Sequence, residues 1–165
     1  VNLYSKGIFK ESEKFNPYNK TTRYQFSLML YRALDLEVPA TTDFKDIAKL
    51  DAEAQSAIKA LNKLGVINGV NKETFAPYNN ITRAQTAKMV YRLLVSNGYQ
   101  DKANATMPFS DVTATDAELN KAAAQLNALG IMTGSNGKLN PNAPLTRDQM
   151  SKVLNNALQA LEGLK

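Results

Sequence analysis

The chain has 165 residues, of which 44% are hydrophobic and 21% charged, and it contains no cysteine, histidine or tryptophan. This composition excludes disulfide bonds, zinc sites of the Cys/His type and nucleophilic catalysis by a thiolate or with histidine. The formal net charge of +5 favours an anionic partner such as nucleic acid, an acidic membrane surface or an acidic cell-wall polymer, unless it serves solubility alone.

The first predicted helix begins at Thr22, within the segment Phe15–Gln25 (FNPYNKTTRYQ). Thr22 and Gln25 match a capping box, in which the two side chains satisfy backbone amides at the helix start. Apolar residues follow at helical spacing and predict a stripe that faces the core. The stripe consists of Phe26, Met29, Leu30, Ala33 and Leu34. The stretch Gly7–Pro17 aligns with the glycine turn of the later copies. The polar segment 36–43 is predicted to be a linker.

A second unit opens with Phe44–Ile47 (FKDI) and continues as a helix with Asp51 as its N-cap. One face of this helix is apolar, and Gly65 follows it where a left-handed residue is expected. The apolar positions are Ala54, Ala57, Ile58, Leu61 and Leu64. The segment Phe75–Gln85 then repeats the capping-box frame and predicts another helix from Thr82. Its stripe consists of Thr86, Met89, Val90, Leu93 and Leu94.

A polar linker at 96–108 precedes a third unit, which repeats the second with one loop residue missing. It contains an FSDV opening, a helix capped by Asp116, a glycine at 130 and a second helix from Thr146. The stripe of that helix consists of Met150, Val153, Leu154, Ala157 and Leu158. Three equivalent stripes predict an all-α fold of three helix–loop–helix repeats, arranged with pseudo-threefold symmetry around a central three-helix bundle. The predicted boundaries are 1–42 for a truncated first repeat, 43–108 and 109–165.

An arginine stands at the first helical position of each capped helix: Arg23, Arg83 and Arg147. A cation is disfavoured there, because a helix N-terminus carries positive partial charge and unpaired amides. The arrangement is explained if an anion shares the site, since a guanidinium beside free amides is a receptor for carboxylate or phosphate. Alternatively, Asp46 and Asp111 recur with the repeat and pair with the arginines. The two explanations are compatible, and the sequence leaves both open.

The repeated unit resembles the S-layer homology (SLH) repeat, in two full copies and one truncated copy over nearly the whole chain. The shared elements are Phe-x-Asp-Ile/Val, Leu-Gly-Val/Ile-x-x-Gly and Ile/Leu-Thr-Arg-x-Gln. The resemblance implies an all-helical pseudo-threefold domain that anchors proteins to an anionic secondary cell-wall polymer of Gram-positive bacteria, often a glycan with a terminal pyruvylated amino sugar. It also implies ligand grooves between neighbouring repeats. The residues that it assigns to the grooves are Arg23, Arg83, Arg147, Asp46, Asp111, Asn68, Gly69, Thr133 and Gly134.

Some features depart from the family pattern. Gln25, Gln85 and Gln149 stand where glutamate is usual, the first helix of the unit lacks a tryptophan, and the loop after the glycine turn is not the usual Tyr-Pro-Asp-Gly. The chain is therefore more basic than a typical member, which leaves a phosphate-bearing polymer of the teichoic-acid type open beside the pyruvylated glycan. The truncated first copy lacks the Phe-x-Asp aspartate, so at most two grooves are complete by this motif.

We therefore expect a secreted binding module at the cell wall, joined to the rest of a parent surface protein, with no catalytic residue, cofactor or metal. No apolar run approaches the ~18 residues of a membrane span, and no signal-peptide core follows Val1, which fits the mature part of a secreted protein. A nucleic-acid-binding helical repeat is the alternative. Against it, the second helices carry few outward basic side chains. These are Arg32, Lys88, Arg92 and Lys152.

An enzyme is the third class considered. A glycosidase needs only two carboxylates, and Asp43 with Asp46 is one such pair, but no histidine or cysteine supports it. For a binding module, the sequence predicts that the fold survives loss of any of the three arginines, because a cation does not stabilise a helix N-terminus. It also predicts unequal binding contributions, since Arg83 and Arg147 lie in complete units and Arg23 lies in the truncated one.

Overall fold

The computed structural model describes residue 16 and residues 18–165. Apart from Asn16, the stretch Gly7–Pro17 lies outside this part of the chain. The described residues form five α-helices and no strands beyond isolated bridges, which confirms the predicted all-α fold. The helices are α1 (Arg23–Ala33), α2 (Ala52–Lys63), α3 (Arg83–Ser96), α4 (Ala117–Ala128) and α5 (Arg147–Glu162).

The three predicted capping boxes form at the starts of α1, α3 and α5. Each cap threonine hydroxyl accepts a hydrogen bond from the glutamine amide three residues later, at 3.1–3.3 Å. Each glutamine side-chain oxygen accepts one from the threonine amide, at 2.9–3.1 Å. Two of the amides that a helix start leaves open are thereby satisfied within each segment.

The helices α2 and α4 end at the predicted glycines. Gly65 and Gly130 have φ of 75° and 72°, and the amides after them reach back to the helix in the pattern of a Schellman motif. Leu64 was predicted to belong to the buried face of α2, and this is wrong, because it is 45% exposed. The helix ends at Lys63, and the reversal at Gly65 brings Val66 into the core instead.

The three capped helices begin at a closed ring of backbone hydrogen bonds. The amide of Thr21 donates to the carbonyl of Leu145 at 2.8 Å, Leu145 donates to Ile81 at 3.0 Å, and Ile81 donates to Thr21 at 2.8 Å. All three side chains are fully buried. Because equivalent residues follow one another around the ring, it relates the three repeats by a pseudo-threefold axis.

The helices pack across the sequence repeats. Helix α1 packs against α2, α3 packs against α4, and α5 contacts both α1 and α3. The second helix of one repeat thus lies on the first helix of the next, and an arginine–glutamate ion pair joins each couple: Arg32 to Glu53, and Arg92 to Glu118. The predicted stripes of α3 and α5 are buried throughout, whereas Ala33 and Leu34 at the end of α1 are only partly buried. The repeat boundaries stay a prediction.

Replacing Thr82 with alanine is expected to lower the free energy of unfolding by about 1 kcal/mol, because the variant loses the hydroxyl that caps α3. Urea denaturation of the variant and the parent measures this difference. Thr106→Ala, at an exposed linker position, is the matched control. An unchanged midpoint for Thr82→Ala would show that the capping box contributes nothing to stability.

Candidate ligand-binding grooves

The amides at the helix starts are not available to a ligand, contrary to the prediction from sequence. The amides of Arg23, Arg83 and Arg147 donate to carbonyls of a neighbouring repeat, at 2.9, 2.9 and 2.8 Å. The amides of Tyr24 and Ala84, one residue later, are taken in the same way. Together with the capping boxes, these bonds satisfy the exposed donors of α1 and α3. Any anion site at these positions is therefore built from side chains.

Arg23 is almost completely enclosed and holds the turn of the next repeat. Its Nε donates to the carbonyl of Phe75 at 2.9 Å and its Nη2 to the carbonyl of Asn68 at 3.0 Å. The guanidinium lies over the Phe75 ring, 4.7 Å from the centroid, and the residue is 6% exposed. Burial lowers the pKa of Arg23, and the nearby Asp46 carboxylate acts in the opposite direction. This arginine is thus part of the packing between repeats.

Arg83 occupies the equivalent position one repeat later, but it is only half-buried. Among the described residues its guanidinium has one hydrogen bond, from Nε to the carbonyl of Leu139 at 2.7 Å. Burial lowers its pKa and Asp111 opposes the shift. Arg147 is also half-buried. The sequence that aligns with the glycine turns of the later repeats lies in the stretch Gly7–Pro17, which apart from Asn16 is outside the described residues.

The aspartates Asp46 and Asp111 hold the backbone of their own repeats. The Asp46 carboxylate accepts from the amides of Phe75 and Ala76 at 2.9 and 2.8 Å. Asp111 accepts in the same way from the residues at 139 and 140, at 2.9 and 2.8 Å. Ala76 and its equivalent, Asn140, have φ of 59° and 55°, a left-handed conformation that costs energy outside glycine. The carboxylates stabilise this bend, and no ion pair with an arginine is found for them within the described region.

The hydrogen bonds to Asp111 predict an acid-sensitive contribution to stability. Burial alone would raise the pKa of Asp111, but the amides of Leu139 and Asn140 outweigh it and hold the pKa below its usual value. A lowered folded-state pKa stabilises the protein above the unfolded-state pKa of about 3.9, and this contribution disappears as the pH falls through the folded-state pKa.

Asp111→Asn should therefore unfold more easily than the parent at neutral pH, and the difference should shrink below about pH 4. Denaturant titrations across this pH range test it. A difference that is constant with pH would contradict the ionised state of Asp111 as the cause.

The turn residues Asn68, Gly69, Thr133 and Gly134 lie beside the arginine of the preceding repeat. Asn68 and Gly69 line a cavity of about 210 Å³ together with Arg23. Thr133 and Gly134 line a cavity of about 420 Å³ together with Arg83. We call these the first and the second groove. Asp46 and Asp111 line neither. Each groove is thus formed by the arginine of one repeat and the turn of the next, rather than within one repeat.

The third wall of each groove is a helix face that sequence reasoning did not assign to the site. In the first groove it is formed by Gln85, Lys88, Met89 and Arg92 of α3, and in the second by Gln149, Lys152, Val153 and Asn156 of α5. These residues follow the capping-box glutamine at intervals of three, four and seven, which places them on one helical face. That spacing is the signal that could have identified them.

The basic residues of these walls are paired with acidic residues. In the first groove, Lys88 bonds Asp116 at 2.7 Å, and Arg92 donates to both carboxylate oxygens of Glu118. Lys88 lowers the pKa of Asp116. In the second groove, Lys152 lies 3.1 Å from Asp148 on the same helix.

Within the described part of the chain, no helix is both long and apolar enough to cross a membrane. The same residues contain no group of three or more acidic, histidine or cysteine side chains that could hold a metal ion.

Comparison with known proteins identifies the repeats. The family model for the S-layer homology domain matches residues 43–87 and 108–151, just over half of the chain. The chain is 31% identical over 152 residues to a surface-layer 125 kDa protein of Lysinibacillus sphaericus, covering 90% of this chain and 12% of that protein. It is 31% identical to an endoglucanase of Bacillus sp. (strain KSM-635), covering 87% of this chain and 15% of that enzyme. It is 28% identical to S-layer protein EA1 of Bacillus anthracis, covering 92% and 18%. The chain thus spans less than a fifth of the length of these relatives, and it belongs to the S-layer homology family.

Proposed function

We propose that this chain is a non-covalent anchoring module that binds an anionic secondary cell-wall polymer, a pyruvylated glycan or one of the teichoic-acid type, in a groove between repeats. The observation that carries the proposal is the second groove. There, the half-buried Arg83 presents its guanidinium to a cavity of about 420 Å³, and among the described residues this guanidinium has one hydrogen bond. Neutral donors and acceptors surround it, notably Thr133, Ser135 and Asn156. An arginine fork among hydroxyl and amide groups suits an acidic sugar.

The relatives support a binding role rather than catalysis. The same module occurs in proteins described as S-layer proteins and in others described as glycan-degrading enzymes such as an endoglucanase and an amylopullulanase. Because the module forms a small part of proteins with different activities, we infer that it attaches each of them to the same kind of surface. On this basis we propose that the chain acts outside the membrane, at the cell wall, and is covalently joined to the rest of a parent surface protein.

Nucleic acid or another polyanion is the competing ligand class. The four outward cations of the second helices should serve such binding, but they are engaged in ion pairs: Arg32 with Glu53, Lys88 with Asp116, Arg92 with Glu118 and Lys152 with Asp148. A protein that neutralises several phosphates loses affinity steeply with salt. A single arginine in a polar groove predicts a much weaker salt dependence, which separates the two classes by experiment.

The test is co-sedimentation of the chain with isolated cell-wall sacculi of a Gram-positive bacterium that carries an S-layer, after nuclease treatment. We expect retention on sacculi that keep their secondary polymer and loss of retention after the polymer is extracted with hydrofluoric acid. Retention should change little between low and physiological salt. Equal binding to extracted sacculi, or binding to DNA with steep salt dependence, would contradict the proposal.

A further inference from the structure

The two described grooves share one design but differ in the turn that closes them. After Gly134 the chain forms a tight reversal, in which Ser135 and Lys138 exchange backbone hydrogen bonds at 2.9 and 3.0 Å. The two residues between them, Asn136 and Gly137, have φ of 52° and 71°, as a two-residue hairpin turn of type I′ requires. The second repeat has one residue more at this place. Its longer turn is closed by a hydrogen bond from the amide of Val70 to the carbonyl of residue 74, at 2.9 Å.

The backbone conformation of the turn next to the arginine differs between the two repeats. Gly134 is left-handed, with φ of 66°, whereas Gly69 is not among the glycines with positive φ. In the second repeat the carbonyl of Asn68 accepts from Nη2 of Arg23 at 3.0 Å. The equivalent carbonyl of Thr133 accepts nothing from Arg83 among the described residues. One arginine is therefore held by its turn through two nitrogens, and the other is held only through Nε.

The helix that lines each groove also leaves more space in the second groove than in the first. In the first groove Arg92 reaches across to Glu118 and to the carbonyl of Val66, the latter at 3.3 Å. In the second groove the equivalent residue is the shorter Asn156, which donates to the carbonyl of Gly130 at 3.3 Å. The first cavity has about 210 Å³ and the second about 420 Å³. The first groove is thus smaller, and more of its polar groups are bonded to the protein itself.

On the premise of the function proposed above, we propose that, of the two described grooves, the second binds the ligand and the first is a structural copy of it. With one turn residue missing, neither Nη group of Arg83 has an acceptor in the described part of the chain, and both can bind a planar anionic group of the polymer. Arg23 is the equivalent residue, but its Nε and Nη2 donate to the carbonyls of Phe75 and Asn68, and the residue is only 6% exposed. The turn length therefore determines which groove binds.

A matched pair of tryptophan substitutions tests this directly. Val70 and Ser135 are equivalent exposed turn residues, and each lines its own groove. Ser135→Trp should fill the second groove and weaken binding to polymer-bearing sacculi by roughly ten- to a hundredfold, the loss expected for one charged hydrogen-bonded contact. Val70→Trp should fill the first groove and leave the affinity within about twofold of the parent. Since the chain has no tryptophan, each variant also carries one tryptophan, whose fluorescence can be excited selectively and reports folding and contact with the polymer.

The outcomes separate the inference from its premise. If the parent chain does not bind polymer-bearing sacculi at all, the proposed function fails. If the parent binds and Val70→Trp weakens binding as much as Ser135→Trp, the function stands and the assignment of the groove is overturned. Far-ultraviolet circular dichroism of both variants checks that each remains folded.

A turn exchange tests the cause. Replacing residues 135–138 with the five-residue sequence at 70–74 should recapture the Arg83 guanidinium and lower the affinity by a similar factor. Unchanged affinity in a folded exchange variant would show that turn length does not control the groove.

Discussion

Replacing Arg23 with alanine is expected to lower the free energy of unfolding by about 2–4 kcal/mol, a large part of the stability of a small domain. The buried carbonyl of Phe75 loses its donor, and an unsatisfied buried acceptor costs about 1–3 kcal/mol. The partly buried hydrogen bond to the carbonyl of Asn68 is lost as well, at a cost of about 1 kcal/mol. The side chain also fills the space over the Phe75 ring, so alanine leaves a gap there. Urea denaturation with a linear extrapolation measures the change.

Arg83→Ala is the matched control for this substitution. Arg83 is half-buried and makes one side-chain hydrogen bond within the described part of the chain, so its loss should cost about 1 kcal/mol. The sequence alone predicted that the fold survives loss of any of the three arginines. The enclosure of Arg23 adds that its loss should be the more costly of these two substitutions. Equal losses for Arg23→Ala and Arg83→Ala would show that the contacts of Arg23 do not contribute to stability.

Replacing Gly134 with alanine is expected to destabilise the chain by about 2–5 kcal/mol. An added Cβ would meet the carbonyl oxygen of Lys138 and would lie 2.5 Å from Cε1 of Phe109, far inside van der Waals contact. Relieving such a clash in a packed region typically costs about 1–3 kcal/mol. The left-handed φ of 66° adds about 1–2 kcal/mol for any residue other than glycine. The substitution should also distort the second groove, because Gly134 lines it.

Gly130→Ala isolates the backbone part of this effect. Its φ of 72° is nearly the same, but no atom lies within 4 Å of the position that a Cβ would take. It should therefore cost only about 1–2 kcal/mol. Thermal unfolding of the two variants, with concentration held equal, gives the comparison. If Gly134→Ala is as stable as Gly130→Ala, the turn can move to accommodate the added Cβ without loss of stability.

Several features of this protein follow from the sequence by itself. The starts of α1, α3 and α5 and the glycine ends of α2 and α4 were predicted correctly. These features depend on contacts between residues three to five apart, which any chain with this order of residues forms in the same way. The helical period also placed the apolar stripes of α3 and α5 in the core, as observed. Leu64 was misplaced because periodicity gives the face of a helix but not the residue at which the chain leaves it.

The site depended on the tertiary structure. From the sequence, an arginine at a helix start suggested an anion held by free amides, but the ring of the three repeats brings carbonyls of a neighbour onto those amides. Arg23 and Arg83 find their acceptors 52 and 56 positions away, in the turn of the following repeat. Asp46 was a candidate groove residue, and its carboxylate instead holds a left-handed bend near residue 76.

The site could not be predicted because a repeated sequence specifies only similar local units. Which surfaces of those units contact one another depends on how the three repeats pack around the ring. The helix that carries Arg23 shares its packing with α2 of the next repeat, so its arginine faces a turn that no local pattern connects to it. The single missing residue after Gly134 is visible in the sequence. Its effect on the guanidinium of Arg83 appears only once that turn lies against the preceding repeat, where the direction of one peptide carbonyl determines whether the arginine is held by the protein.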